Sequence, residues 1–182
     1  MTEQRVSSRY ARAILETAEQ EGFTETVLAD FKVIEKIVEA SRELENLMKS
    51  PIVRYWRKKQ VFNEIFQPRV SKLTMSFINL LTSKNREVLI PSIVIQFIKQ
   101  YNILRGLLPV EINSAVEMDD DLKQTVKSKL ELYTQKKVLP SYRTDSLLKG
   151  GLTVRIDDWV FDGSLRNQLE IMFKKMVAGE AV

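Results

Sequence analysis

The sequence predicts an α+β protein in which an all-α N-terminal part precedes a small α+β C-terminal domain. Over about the first hundred residues, apolar side chains recur every three or four positions, which is the period of one helix face. After Gly106 the period falls to two, and from Val110 onward apolar and polar residues alternate as in a strand with one wet face. We therefore expect a helical domain over residues 1–105 and a second domain over residues 106–182.

Six helices are expected in the first domain, and prolines mark several of their edges. Proline lacks a backbone N–H and fixes φ, so it is typical of places where a periodic segment ends or restarts. Pro91 should kink or restart the sixth helix. Ser7 or Ser8 can cap the first helix, and Thr24 can cap the second. The prolines that lie at such edges are Pro51, Pro68, Pro91, Pro109 and Pro140.

Apolar stripes within these helices identify the expected core. In the fourth helix, over about residues 53–66, the residues expected to point inward are Trp56, Val61, Ile65 and Phe66. The fifth helix, over about residues 70–82, is apolar over more than one narrow stripe, so part of it could be a groove for an incoming amphipathic helix. For any single residue the core interpretation is favoured. The apolar face of the first helix comprises Tyr10, Ala11, Ile14, Leu15 and Ala18.

The C-terminal domain is expected to contain three strands and two helices. The strands cover about residues 110–118, 138–144 and 152–156, and Val160-Phe161 could extend the last of them. Negative charge at Asp119–Asp121 suits the start of the first helix, because the helix dipole favours anions there. A domain of about 75 residues without disulfides has a small core and exposed sheet edges, which suggests a partner.

The composition of the chain excludes most of the common kinds of catalytic site. The chain has no Cys and no His, which excludes disulfides, thiolate nucleophiles, Cys/His zinc sites and His-based triads. None of its 6 glycines stands in a phosphate-binding spacing. No apolar segment approaches the roughly 20 residues that a membrane helix needs. We expect a soluble protein with no cofactor, no metal and no direct membrane insertion.

Two alternative functions follow from clusters of charge. Arg54–Lys59 is the densest basic run, and its interleaved aromatic residues would fit a helical nucleic-acid-binding protein, although a solvated helix face is favoured. Asp157, Asp158 and Asp162 could be proposed as hydrolase carboxylates. They flank an expected turn and a helix start, where aspartate accepts backbone N–H bonds, so the structural role is favoured.

Three segments resemble one known family. Residues 10–16 (YARAILE), the run Asn85-Arg86 followed by Leu89-Ile90-Pro91, and residues 145–169 are similar to the delta subunit of F-type ATP synthase, whose mitochondrial counterpart is the oligomycin-sensitivity-conferring protein. Lys149 stands where an apolar residue is common, and Asp157 stands where a glycine is common. The residues that match the family signature are Gly150, Gly151, Val154, Arg155, Asp162, Gly163, Ser164, Arg166 and Leu169.

The resemblance implies a non-catalytic stator subunit of a proton-translocating ATP synthase. It implies a six-helix bundle on the catalytic head, with helices one and five holding an N-terminal helix of an alpha subunit, and a C-terminal domain that meets the b subunits of the peripheral stalk. It also implies a peripheral position on the cytoplasmic face of the bacterial inner membrane, with no nucleic-acid partner. The residues expected to contact the alpha subunit are Tyr10, Ala11, Ile14, Leu15, Phe77, Leu80 and Leu81.

Overall fold

The computed structural model describes residues 3–177, and their secondary structure confirms the mixed α+β class. Within this range lie eight α-helices, two 3-10 turns and a four-stranded sheet. The chain divides into two compact units, Met1–Tyr101 and Asn102–Val182. The helices that precede the first strand are α1 (Glu3–Gln20), α2 (Thr24–Ala40), α3 (Arg42–Lys49), α4 (Tyr55–Phe66), α5 (Lys72–Ser83) and α6 (Ile90–Leu104).

Aromatic side chains dominate the core of the helical unit. Phe31 and Phe97 meet edge to face with ring centroids 4.6 Å apart, and Phe31 also packs on Phe77 at 6.3 Å. Such pairs add about 0.5–1.5 kcal/mol each to the energy of apolar burial. Pro91 lies in the first turn of α6, just after a 3-10 turn at Glu87–Leu89, which confirms that the helix restarts there. A missing N–H has no effect at that position because it would have no partner within the helix.

Both expected helix caps are wrong. The helix α1 begins at Glu3, so Ser7 lies inside it with a fully buried side chain. Ser8 also lies within α1, where its side chain and carbonyl oxygen accept bonds from Gln100 at 3.1 and 3.0 Å. Thr24 is the first residue of α2 and is buried, and Phe23 takes the capping position without a side-chain hydrogen bond. None of these three side chains therefore caps the start of its helix.

The inward face of α4 differs in part from the expected one, because Phe66 is buried as predicted but Trp56 is not. Trp56 is 53% exposed, whereas Phe62, Phe66 and Lys58 are buried. Lys58 lies in the interior because its ammonium group pairs with Glu87 and donates a 3.0 Å bond to the carbonyl of Met48. This buried ion pair joins α4 to the last turn of α3 and to the 3-10 turn before α6.

The second unit is a sheet with one helix-covered face. The strand order is β2-β1-β3-β4, with β1 parallel to β2 and every other pair antiparallel. The parallel pair is connected through α7, as a crossover requires. The last helix, α8, follows the sheet. The bounds are β1 Leu107–Ser114, α7 Asp120–Thr134, β2 Lys137–Thr144, β3 Leu152–Ile156, β4 Trp159–Asp162 and α8 Leu165–Val177.

Apolar and polar residues alternate along the strands, so the apolar side chains lie on the face of the sheet that α7 covers. Val126 and Leu130 of α7 pack against this face. The first strand ends at Ser114, earlier than expected, and Val116 beyond it is 70% exposed. Asp119 caps α7 as expected, since its side chain accepts the N–H of Leu122 at 2.7 Å. The buried core of the unit comprises Val110, Ile112, Met118, Val138 and Val154.

Candidate interaction surfaces

Most of the residues predicted to contact an alpha subunit lie in the core of the helical unit. Ile14, for example, is 3% exposed, so in this conformation its side chain packs within the unit and is not open to a partner. Only Tyr10 and Leu80 among the seven reach the surface. The apolar stripes of α1 and α5 serve first to hold the helices together. The buried members of the set are Ala11, Ile14, Leu15, Phe77 and Leu81.

An exposed strip remains where α1 approaches the end of α5. The ring of Tyr10 meets Phe77 edge to face with centroids 6.4 Å apart, and the guanidinium of Arg86 lies 5.6 Å from the centre of the Tyr10 ring. Leu80, one turn after Phe77 on α5, is 48% exposed. We call Tyr10, Leu80 and Arg86 the α1/α5 surface. It combines an apolar side chain, a half-covered aromatic ring and a cation.

The glycine pair of the signature closes a tight junction between the turn before β3 and the start of α8. Gly151 has φ +77°, and a Cβ atom there would lie 2.3 Å from the carbonyl oxygen of Gly163. The N–H of Leu165 bonds to the carbonyl of Gly150 at 2.9 Å. The N–H of Gly163 bonds to the carbonyl of Leu152 at 3.0 Å. Only glycine fits the close backbone approach at position 151.

Asp162 and Ser164 form the start of α8. Ser164 is buried and accepts the N–H of Asn167 at 3.2 Å, while Asp162 accepts the N–H of Ser164 at 2.9 Å. Hydrogen bonding by Ser164, first through its side chain and then through its backbone, lowers the pKa of Asp162 below its ordinary value. The carboxylate is therefore held ionised as a structural acceptor of a backbone N–H just before α8, which is the role that its place in the sequence suggested.

The remaining signature residues divide between the core and the surface. Val154 is buried in the sheet, whereas Arg155, Arg166 and Leu169 are exposed. Much of the signature thus specifies a fold, and these three side chains are available to a partner. The two departures from the family pattern both occupy left-handed backbone: Lys149 has φ 58° after a 3-10 turn at Ser146–Leu148, and Asp157 has φ 47° in the β3–β4 turn. Aspartate tolerates this region, so the hairpin forms without the glycine.

We predict that Gly151→Ala destabilises the C-terminal unit by at least about 1 kcal/mol more than Gly106→Ala does. Both residues have positive φ, so both variants carry about 1–2 kcal/mol of conformational strain. Only at Gly151 does the added methyl group also meet backbone, because nothing lies within 4 Å of a Cβ at Gly106. Urea unfolding followed by Trp159 fluorescence, in a Trp56→Phe background, measures the difference. Equal destabilisation by the two variants would contradict the close approach.

Large apolar side chains are exposed on both α8 and β4. None of the residues of α8 is buried. In β4, Trp159 and Phe161 pair with Ile156 and Val154, so they belong to the apolar face of the sheet, yet they are 82% and 70% exposed. We call the following set the C-terminal apolar surface: Trp159, Phe161, Leu165, Leu169, Met172, Phe173 and Met176. Within this set, Leu165, Leu169, Met172 and Met176 are aligned along one side of α8.

No catalytic constellation accompanies these surfaces in residues 3–177. Within that range, no group of three or more acidic, His or Cys side chains is placed to hold a metal ion. Asp157 and Asp158 are exposed in a turn, and Asp162 accepts the backbone N–H of Ser164. No helix in the same range is long and apolar enough to cross a membrane.

The family model and the related sequences that match the chain all describe the same kind of subunit. A family model described as ATP synthase delta (OSCP) subunit matches residues 6–176. The ATP synthase subunit delta of Chloroherpeton thalassium is 36% identical over 174 residues, which cover 96% of this chain and 95% of the relative. The subunit of the same name from Carboxydothermus hydrogenoformans is 37% identical over 164 residues, which cover 90% and 92%.

A solved structure has the same fold. A chain of the Toxoplasma gondii mitochondrial ATP synthase hexamer, determined by cryo-EM, superposes with a TM-score of 0.73 over 97% of this chain and 98% of that chain, at 15% identity. None of these similarities supports the nucleic-acid-binding alternative. Because the family model and the related sequences span nearly the whole length, the chain belongs to the ATP synthase delta (OSCP) subunit family, whose members are non-catalytic subunits of the peripheral stalk.

Proposed function

We propose that the chain joins the catalytic head of ATP synthase to its peripheral stalk through two separate contacts. The helices α1–α6, over residues 1–105, act as a six-helix bundle that binds the N-terminal helix of an alpha subunit. Residues 106–182 form the domain that binds the b subunits. The position that follows is peripheral, on the cytoplasmic face of the bacterial inner membrane. The task is mechanical, because the adaptor holds the head against the torque of the rotor.

The α1/α5 surface supports the contact with the head. An amphipathic helix binds a groove through apolar anchors at spacings of three and four residues, and Leu80 with the ring of Tyr10 offers an apolar floor for them. Arg86 beside Tyr10 gives this floor a cationic edge that suits a carboxylate of the incoming helix. The buried members of the predicted set support this surface from beneath, since Phe77 holds the Tyr10 ring in place.

The C-terminal apolar surface supports the contact with the stalk and is the single observation that favours a docking role most strongly. Monomeric proteins rarely expose contiguous apolar patches of large extent, and such patches mark interaction sites. The stripe of Leu165, Leu169, Met172 and Met176 has the spacing at which helices pack against one another. Each large side chain that becomes fully buried contributes about 1.5–3 kcal/mol.

Two moderate contacts are sufficient for firm attachment. Once one unit is bound, the other experiences a high effective concentration of its partner, so the overall affinity exceeds either contact alone by about 10²–10⁴. This arrangement also suits a stator, because each of two compact units in one chain can hold a different partner.

We predict that Leu80→Asp weakens binding of a peptide from the alpha-subunit N-terminus by about tenfold to a hundredfold. The change removes a half-exposed apolar anchor and places a charge in the contact, while leaving the core intact. Isothermal titration calorimetry on the full chain measures the affinity, and circular dichroism checks the fold. Thr26→Asp, an equal charge change at an exposed site on α2, is the control.

The same titration tests the expectation that Ile14 contacts the alpha subunit. Because this side chain is 3% exposed, Ile14→Asp should unfold the helical unit and not merely weaken binding of the peptide. Unchanged affinity in the Leu80→Asp variant would place the head contact elsewhere on the chain.

A further inference from the structure

A second exposed surface lies on the helical unit around the start of α4. Ile52 is 89% exposed, Tyr55 is 54% exposed and Trp56 is 53% exposed. The cations Arg54, Arg57 and Lys59 are interleaved with these residues and are exposed as well. We call the following set the basic–aromatic patch: Ile52, Arg54, Tyr55, Trp56, Arg57 and Lys59.

The charge of this patch is uncompensated. Among residues 3–177, no salt bridge or side-chain hydrogen bond engages Arg54, Arg57 or Lys59. The first turn of α4 contains no acidic side chain. The acidic residue of α4 itself, Glu64, lies beyond the patch and accepts a bond from Gln60 at 3.3 Å. Like charges crowded in one turn destabilise a helix by a few tenths of a kcal/mol per pair, and an anionic partner would relieve this.

We propose that the basic–aromatic patch binds an acidic segment, carrying an apolar anchor, from another subunit of the ATP synthase. The composition of the patch favours a protein partner, because Trp, Tyr and Arg are the residues that contribute most at protein interfaces. The exposed cations select carboxylates, and the half-covered rings of Tyr55 and Trp56 with Ile52 accept an apolar side chain between them. The inference rests on assembly of the chain with other synthase subunits, but not on the α1/α5 surface.

Other anionic partners fit this patch less well. Three cations near an anionic bilayer gain only about 1 kcal/mol each, and a single short patch lacks the second anchor that stable membrane binding requires. Single-stranded nucleic acid needs a basic groove that follows its backbone, whereas these residues are confined to the start of one helix and the residues just before it.

The absence of cysteine from the sequence allows a direct test in the assembled enzyme. Arg57→Cys, Lys36→Cys and Leu80→Cys are each labelled with a maleimide, in the free chain and in purified ATP synthase. We expect labelling of Arg57→Cys to slow at least tenfold in the complex, while Lys36→Cys, an exposed site on α2, slows less than twofold. Protection of Leu80→Cys without protection of Arg57→Cys would overturn this inference and leave the proposed head contact standing.

A second measurement tests the chemistry of the partner. The probe is a peptide of about 18 residues, about five helical turns, with glutamates on one face and leucines with one phenylalanine on the other. Arg54→Glu/Arg57→Glu/Lys59→Glu should bind it at least tenfold more weakly than the unmodified chain. The control variant Lys32→Glu/Lys36→Glu/Lys99→Glu has the same change in charge, and its affinity for the peptide should fall less than twofold. Tighter binding to phosphatidylglycerol vesicles or to poly-dT than to the peptide would contradict a protein partner.

Discussion

Lys58→Met is expected to lower the free energy of unfolding of the helical unit by about 3–5 kcal/mol. The substitution removes a buried ammonium group and leaves the carboxylate of Glu87 without its counter-charge in an interior position. The other oxygen of that carboxylate already has no partner among the described residues, so Lys58 supplies the principal compensation for the charge. The carbonyl of Met48 loses its donor in the same step.

Lys59→Met is a matched control, because it makes the same chemical change one residue away at an exposed position. We expect the control to change stability by less than about 0.5 kcal/mol. The double variant Lys58→Met/Glu87→Leu should recover most of the loss, since it removes both charges together. Urea unfolding followed by Trp56 fluorescence in a Trp159→Phe background gives the free energies. Equal stability of Lys58→Met and Lys59→Met would show that the pair has no role in the fold.

This ion pair also shows why the sequence predicted the inward face of α4 only in part. Apolar residues lie on several sides of α4, and periodicity alone does not choose which of them face inward with Lys58. The choice depends on a partner for Lys58, and that partner lies 29 residues later in the chain. A tertiary contact at that separation leaves no local pattern. The secondary structure was predictable because helix and strand periods are local.

The candidate interaction surfaces, like the fold, could be predicted from the sequence only in part. An apolar stripe indicates that a face is covered, but it does not indicate whether the cover is the same chain or a partner. Ile14 and Leu80 both belong to such stripes, yet one is buried and the other is half exposed. The signature was more informative, because the close approach at Gly151 imposes a residue type that the sequence displays directly. The polar residues of the signature stabilise this junction, since Asp162 accepts the backbone N–H of Ser164.

The second large effect is expected at the stalk contact. Leu169→Asp/Phe173→Asp should weaken binding to the soluble C-terminal part of the b subunits at least about a hundredfold, because two large apolar side chains lose about 3 kcal/mol or more of burial. The residues stand four positions apart on α8 and are 60% and 67% exposed in the unbound unit. Their replacement should therefore leave the fold of the C-terminal unit unchanged, which Trp159 fluorescence and circular dichroism can verify.

Gln124→Asp/Gln168→Asp is the control, because it adds the same two charges at exposed sites and removes no apolar area. Its affinity for the b subunits should stay within about twofold of that of the unmodified chain. The two contacts can then be separated in one chain. Leu80→Asp should weaken binding of the alpha peptide and leave binding of the b subunits unchanged. Leu169→Asp/Phe173→Asp should weaken binding of the b subunits and leave binding of the alpha peptide unchanged. Each change lies in a different compact unit. Loss of both partners from either variant would contradict independent contacts and would point to one continuous interface.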